Sequence, residues 1–358
     1  MPDIHRSRRW PLATALAGLL LLGGCGADAP PESAARAPAA APSAELQALY
    51  DQARKAGEKE LVLYTAFPET VELWQAFQQD FPEIRFKPTA TTQLYTRLAS
   101  EAASGNHIGD LVLTGYSELA ELVRQGRLER DVPATSETIP AAYRDPAGYF
   151  QQPWVNAFTL AYNTRLLRPE EVPQTWPQIL DPRFKGRFAH VRFVGASPFD
   201  AAVVLLQEEG KLSDAQLQAI HDNGGVSDNP GTLTANLAQG RTDFVLWAPA
   251  QVVARLRDNG APVALSFPAD VAILYGPGVA SLRDAPHPHA ARLFKNWLFT
   301  PRAQAIIAAK EYAYGTAPNA PAPKGFPAID SFAQKSIPFD QVNAYFDRYR
   351  EKTQAIWR

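Results

Sequence analysis

The sequence predicts an α/β protein built as two lobes around a central cleft. Three observations lead there. Short apolar runs alternate with amphipathic stretches of about 10–12 residues from position 44 to 153 and again from 160 to 262, the pattern of parallel βαβ units. The stretch after 270 is helical and too small for a third α/β domain, so it is expected to pack back onto the first lobe. The chain has 358 residues, 46% hydrophobic and 20% charged, which is enough material for two buried cores.

Each element has its own signal. Leu46, Leu49, Tyr50 and Ala53 have helical spacing, and Gly57 closes that segment. Leu61–Tyr64 reads as a short buried strand. Glu69–Asp80 reads as a helix with Val71, Leu73, Trp74 and Phe77 inward, Ile84–Lys87 as a second strand, and Gln93–Ser104 as a helix on Leu94 and Leu98. Asp110–Leu113 is the third strand, and Leu119–Gln125 a helix stopped by Gly126. Beyond Pro153, Phe158–Tyr162, Val191–Val194 and Phe244–Trp247 read as strands. Pro198–Gly210, Ser213–Asn223, Thr232–Gln239 and Val252–Asn259 read as helices. Ala264–Phe267 and Val271–Leu274 are expected strands, and His289–Phe299 and Arg302–Lys310 expected helices, followed by an amphipathic Val342–Trp357.

The N-terminal 24 residues read as a secretory signal. Arg6, Arg8 and Arg9 precede an apolar run from Trp10 to Leu22, shorter than the roughly 20 apolar residues that cross a bilayer. The single cysteine, Cys25, follows Leu22-Gly23-Gly24. Residues 26–43, GADAPPESAARAPAAAPS, carry no large apolar side chain and read as a tether reaching about 25 Å. One cysteine excludes an internal disulfide and a CxxC metal or redox site. A net charge of -2 does not mark a nucleic-acid binder. The six histidines show no metal spacing, and there is no phosphate loop or dinucleotide fingerprint, so no cofactor, resident metal or catalytic residue is expected.

A family resemblance rests on a series of segments in order. These are Leu61-Val62-Leu63-Tyr64-Thr65, Gly109-Asp110-Leu111-Val112-Leu113, Leu160-Ala161-Tyr162-Asn163-Thr164, Pro173-Gln174-Thr175-Trp176, Asp181-Pro182-Arg183-Phe184-Lys185-Gly186, and the helix start from Ala285 to Phe294. Together they resemble the solute-binding proteins of ABC importers, in the type II periplasmic group that includes ferric- and phosphonate-binding members. Leu22-Gly23-Gly24-Cys25 likewise resembles the lipobox of bacterial lipoproteins, in which the cysteine is acylated and becomes the mature N-terminus. The resemblance implies two lobes, each a mostly parallel mixed sheet with flanking helices, joined by two crossovers. It divides the chain into a signal (1–24), a lipidated tether (25–43), lobe one (44–155), lobe two (156–265) and the rest of lobe one with C-terminal helices (266–358). It implies a monomer that takes a small-molecule ligand, delivers it to a permease and ATPase in the inner membrane, and is held on the periplasmic side of a membrane by its lipid. Ferric members use a His, an acid and paired tyrosines at positions that correspond here to Pro68, Gly115, Ala248 and Pro249, none of which supplies an anionic oxygen. Direct ferric binding of that kind is therefore not expected.

Candidate ligand contacts lie where strands end and helices begin, because free N–H groups and the helix dipole favour an anion there. They are Thr65, Thr91 and Thr92 in the first lobe, and Ser197, Asn229, Gly231 and Thr232 in the second. Tyr116 and Trp247 are expected to wall the cleft, and Asn156, by the first crossover, to hydrogen-bond the ligand. The ligand class these imply is small and polar or anionic: phosphorylated, phosphonate or carboxylate. Two other functions fit the same chain. A sensory module would present the loaded lobes to a receptor or kinase, and a secreted hydrolase would use Ser197 as nucleophile.

Overall fold

The computed structural model describes residues 42–67, 70–134, 138–192, 203, 206–227, 229–269, 271–332, 341, 344 and 347–348. Cys25, the tether up to position 41, Pro68, Ser197 and most of the C-terminal amphipathic segment lie outside the described residues.

Helix α1 (Ala44–Lys55) starts on Ser43, whose hydroxyl accepts from the Leu46 N–H at 3.3 Å, and buries Leu46, Tyr50 and Ala53. Strands β1 (Glu60–Thr65), β2 (Arg85–Ala90) and β3 (Leu111–Thr114) run parallel, with helices α2 (Val71–Asp80) and α3 (Leu94–Ser104) between them. Helix α4 (Tyr116–Arg124) leaves the end of β3 after a single residue, Gly115. Residues 61–65 of β1 are all buried, as a central strand covered on both faces must be. Among the described residues this sheet has the order β2-β1-β3-β11-β4, where β4 (Phe150–Gln151) and β11 (Gly278–Ser281) flank one another antiparallel.

The second sheet is organised on β5 (Trp154–Asn163). Helix α5 (Trp176–Ile179), β6 (Phe188–Val191), α6 (Asp214–Asn223), β7 (Gly225–Ser227), α7 (Pro230–Ala238), β8 (Phe244–Pro249) and α8 (Ala250–Asp258) follow in turn. Strand β8 lies antiparallel to β5, and β6 joins β8 to β7 in parallel pairs. Strands β9 (Val263–Ser266) and β10 (Ile273–Tyr275) return antiparallel along β5. The chain then crosses to β11 in the first sheet, and α9 (Pro288–Trp297) covers that sheet against α1. The expected architecture is therefore present: two α/β sheets, with the helical stretch after 270 packed on the first.

The two crossings lie side by side. Gln152, between β4 and β5, donates from Nε2 to the Gly276 carbonyl at 2.9 Å. A Cβ on Gly276 would fall 2.0 Å from the Trp154 carbonyl oxygen, so only glycine fits. A third connection runs behind them. After α10 (Pro301–Ile306) and a single π turn (Ile307–Glu311), β12 (Tyr314–Gly315) pairs with Trp154 and Val155, and Thr316 Oγ1 donates to the Gln152 carbonyl at 2.5 Å. This strap is tied to α8: Arg255 donates to Glu311 at 2.9 Å and to the Lys310 carbonyl at 3.3 Å. Tyr312 OH donates to Asp258 at 2.6 Å, and Arg257 to the Lys324 carbonyl at 3.4 Å. At its other end Arg302 and Trp297 meet Asp80 of α2 at 3.1 and 2.8 Å.

Some element readings change. Helix α4 begins at Tyr116 rather than Leu119, because Gly115 turns the chain directly from strand into helix. Strand β6 (Phe188–Val191) starts three residues before the expected run, since Phe188 and Ala189 pair with Phe244 and Val245; Phe193 and Val194 of that run lie outside the described residues. Strand β10 begins at Ile273 because Val271 is held in a turn on the Pro268 carbonyl. Strand β11 was not expected at all. Its small side chains (Gly278-Val279-Ala280-Ser281) suit a strand pressed between Leu119 and Phe150, where a Cβ on Gly278 would lie 2.5 and 2.8 Å from them.

Candidate functional site

The carboxyl ends of β1, β2 and β3 meet at one edge of the first sheet, where open α/β sheets take ligands. A cavity of about 340 Å³ lies there, lined by Thr65, Thr91, Thr92, Thr114, Tyr95 and Glu118 among others. Thr65, Thr91 and Thr92 are thus brought together as the sequence suggested. The local backbone explains how. The Thr91 N–H donates to the Thr65 carbonyl at 3.2 Å, locking the two strand-end loops to each other. Thr65 Oγ1 accepts from the Phe67 N–H at 2.9 Å and Thr91 Oγ1 from the Gln93 N–H at 3.2 Å. Each hydroxyl so held keeps its own O–H to donate.

Tyr116 opens α4 but points into the core, its ring 5.9 Å from Phe150 and 5.5 Å from Tyr275. It does not wall the cavity. Its backbone N–H donates to Tyr275 OH at 3.2 Å. Asn156 is half-buried on β5 directly opposite Tyr275 on β10, so it stands at the crossing between the sheets. Burial pushes the Tyr275 phenol up to about 12, and Glu118 acts in the same direction. Tyr95 is pushed up to about 12 by burial and by Glu118 and Glu121. Both phenols are neutral hydrogen-bonding groups near neutral pH.

The second-sheet candidates are placed differently. Asn229 is the N-cap of α7, and its Oδ1 accepts from the Gly231 and Thr232 N–H groups at 2.7 and 3.1 Å. The donors expected to meet an anion are therefore engaged by the cap itself. Trp247 is 1% exposed, its ring tilted against Trp176 at 5.7 Å, with its indole N–H donating to the Val271 carbonyl at 3.1 Å. The expected aromatic wall is a core residue, buried because the chain bulges there. Its φ of 52° lies in the left-handed region, and the β5–β8 register shifts at the same place.

Sequence reasoning missed Tyr95, Thr114, Glu118 and Tyr275. Thr114 and Glu118 carried a usable signal, being the last strand residue and the third helical residue around Gly115. Tyr275 carried none, because its place depends on the second crossing. Gly115, Ala248 and Pro249 present no oxygen side chain, and no group of three or more His, Cys, Asp or Glu among the described residues is placed to hold a metal. No described helix is long and apolar enough to cross a membrane.

Comparison with known proteins agrees with this architecture. Iron uptake protein A1 of Synechocystis sp. (strain ATCC 27184 / PCC 6803 / Kazusa) is 24% identical over 273 residues, 70% of this chain and 73% of that protein. Iron-bound HitA from Pseudomonas aeruginosa superposes with a TM-score of 0.68 at 17% identity, over 83% of this chain and 99% of that one. A Trichodesmium protein (IdiA, FutA) in complex with iron and citrate ligands gives 0.69 at 19% identity, over 84% and 100%. At these identities the structures show the shared two-lobed periplasmic-binding fold. Residues 72–335 match the family described as bacterial extracellular solute-binding protein, and the chain belongs to that family.

Proposed function

We propose that this protein is the binding component of an ABC importer that captures a small polar or anionic solute (phosphorylated, phosphonate or carboxylate) between two lobes. In this reading residues 44–155 with 266–358 form one lobe and 156–265 the other. The observation that carries the reading is the cavity at the ends of β1, β2 and β3, where Thr65, Thr91, Thr92 and Thr114 converge beside the start of α4. Hydroxyl donors complement an anion. Ligand that touches both lobes only when they are closed shifts the hinge population toward closure. The mature chain is tethered on the periplasmic side of a membrane by acylated Cys25, which Cys25→Ala would release into the soluble fraction.

Thermal-shift screening tests the ligand class, since a solute at about 100 times its Kd adds roughly 2.7 kcal/mol. Phosphates, phosphonates or carboxylates are expected to raise the melting temperature. A rise with neutral sugars alone overturns the anion reading. Mass spectrometry of solute released on denaturation then names the compound.

A second reading is favoured by the relatives, which include an iron uptake protein and a complex with iron and citrate. Ferric iron prefers several anionic oxygens. With Gly115, Ala248 and Pro249 at the corresponding positions, iron would arrive here carrying its own carboxylate chelator. Ferric citrate raising the melting temperature where citrate alone does not would support this reading.

A further inference from the structure

The cavity holds one feature that an anion alone does not explain. Glu118 lines it, and no basic side chain lies within 4 Å of its carboxylate among the described residues. The one hydrogen bond it accepts there comes from Ser117 Oγ at 3.1 Å. Its Oε2 and the Tyr275 hydroxyl each come within 2.8 Å of the point a Cβ on Gly115 would occupy. The absence of a side chain at Gly115 thus brings a carboxylate and a phenol oxygen to the same place, at the end of β3. Tyr95 lines the same cavity and feels the Glu118 charge.

With only Ser117 and the dipole of the first α4 turn to balance it among the described residues, this carboxylate is tolerated while the cavity is open to water. Closing a cleft over it removes that water, and a buried charge without a partner is costly. The solute must then bring the missing positive charge. We infer that Glu118 is a specificity-determining residue that selects solutes carrying an organic cation, an ammonium centre, beside their anionic group. One carboxylate beside the neutral Tyr95 phenol matches a single positive charge. A multivalent metal ion demands more anionic oxygens than these residues supply. The threonine hydroxyls receive the anionic end, and Glu118 beside Tyr95 receives the cationic end. The inference rests on the proposed anion reading and adds the second charge to it.

The test uses matched probes on the mature chain in metal-free buffer. These are β-alanine against propionate and 3-aminopropylphosphonate against propylphosphonate, with affinity read by calorimetry for wild type and for Glu118→Gln. An ammonium bearer is expected to bind at least about tenfold tighter than its partner, and Glu118→Gln, which keeps size and shape, is expected to abolish that preference. Equal binding within each pair overturns the inference and leaves the anion reading standing. A preference that survives in Glu118→Gln also overturns it. Binding of ferric citrate that depends on Glu118, with no preference in either pair, replaces the organic cation by a metal. If no anionic probe binds and neutral sugars do, the underlying anion reading fails and this inference falls with it. Far-UV circular dichroism on the variant separates loss of preference from loss of fold.

Discussion

Helix α7 in the second sheet and helix α4 in the first both start at the end of a strand, yet they offer a ligand different things. Asn229 and Pro230 make α7 an orthodox helix start, and the Asn229 carboxamide takes the Gly231 and Thr232 N–H groups for itself. Helix α4 starts on Gly115, which has no side chain to cap with, and neighbouring groups move into the gap: Tyr275 from another strand and Glu118 from one turn on. A strong capping residue is thus a poor guide to an open binding site, because good capping consumes the donors. The weak start is the one where Tyr275 from another strand and Glu118 close in on Gly115, beside the cavity.

Three experiments bear on that contrast. The largest effect concerns what supports the α7 rim. His190 on β6 is fully buried, and β6 pairs with β7, the strand that leads into α7. Burial depresses its pKa from 6.5 to about 4. The unfolded chain therefore takes up a proton first as the pH falls. Stability present above pH 6.5 is lost between there and about pH 4, by about 3 kcal/mol in all. Hydrogen exchange at pH 7 and pH 5 is expected to show β6 and β7 losing protection before β1 and β3. Equal loss in both sheets would mean the two rims do not differ in this way.

The next effect is on binding. Thr91→Ala or Thr92→Ala is expected to weaken solute affinity by about tenfold, the value of a hydrogen bond to a charged group, with little change in melting temperature. The smallest effect runs the other way. Asn229→Ala is expected to cost about 1 kcal/mol of stability through the lost cap while affinity changes by less than about threefold. If Asn229→Ala weakens binding more than Thr92→Ala does, the second rim is the principal ligand contact after all.

Much of the architecture was legible because it depends on local chemistry. The apolar run Leu61–Tyr64 and the helix signals around Leu46, Trp74 and Leu98 each point to what forms there. Strand β11 was not legible, since glycine, alanine and serine have little strand propensity of their own and the strand exists only because β3 and β4 hold it. The same division runs through the site. Thr65, Thr91 and Thr92 were readable as strand-end hydroxyls. Trp247 was misplaced because its burial follows from a bulge opposite Thr159–Ala161, which no pattern in Phe244–Pro249 announces. Tyr275 reaches α4 only by way of the second crossing, so its role is purely tertiary.

The strap behind the hinge has an evolutionary consequence. Two of its ties to α8 end on backbone carbonyls, those of Lys310 and Lys324, which every amino acid possesses. Drift at those two positions leaves the acceptors in place, whereas drift at Arg255 or Arg257 deletes the donors outright. These two ties are therefore robust to sequence change at the lysines and brittle at the arginines. Lys310 and Lys324 can vary while Arg255 and Arg257 are kept, but Glu311 and Tyr312 hold α8 through their own side chains and cannot change without loss of a tie.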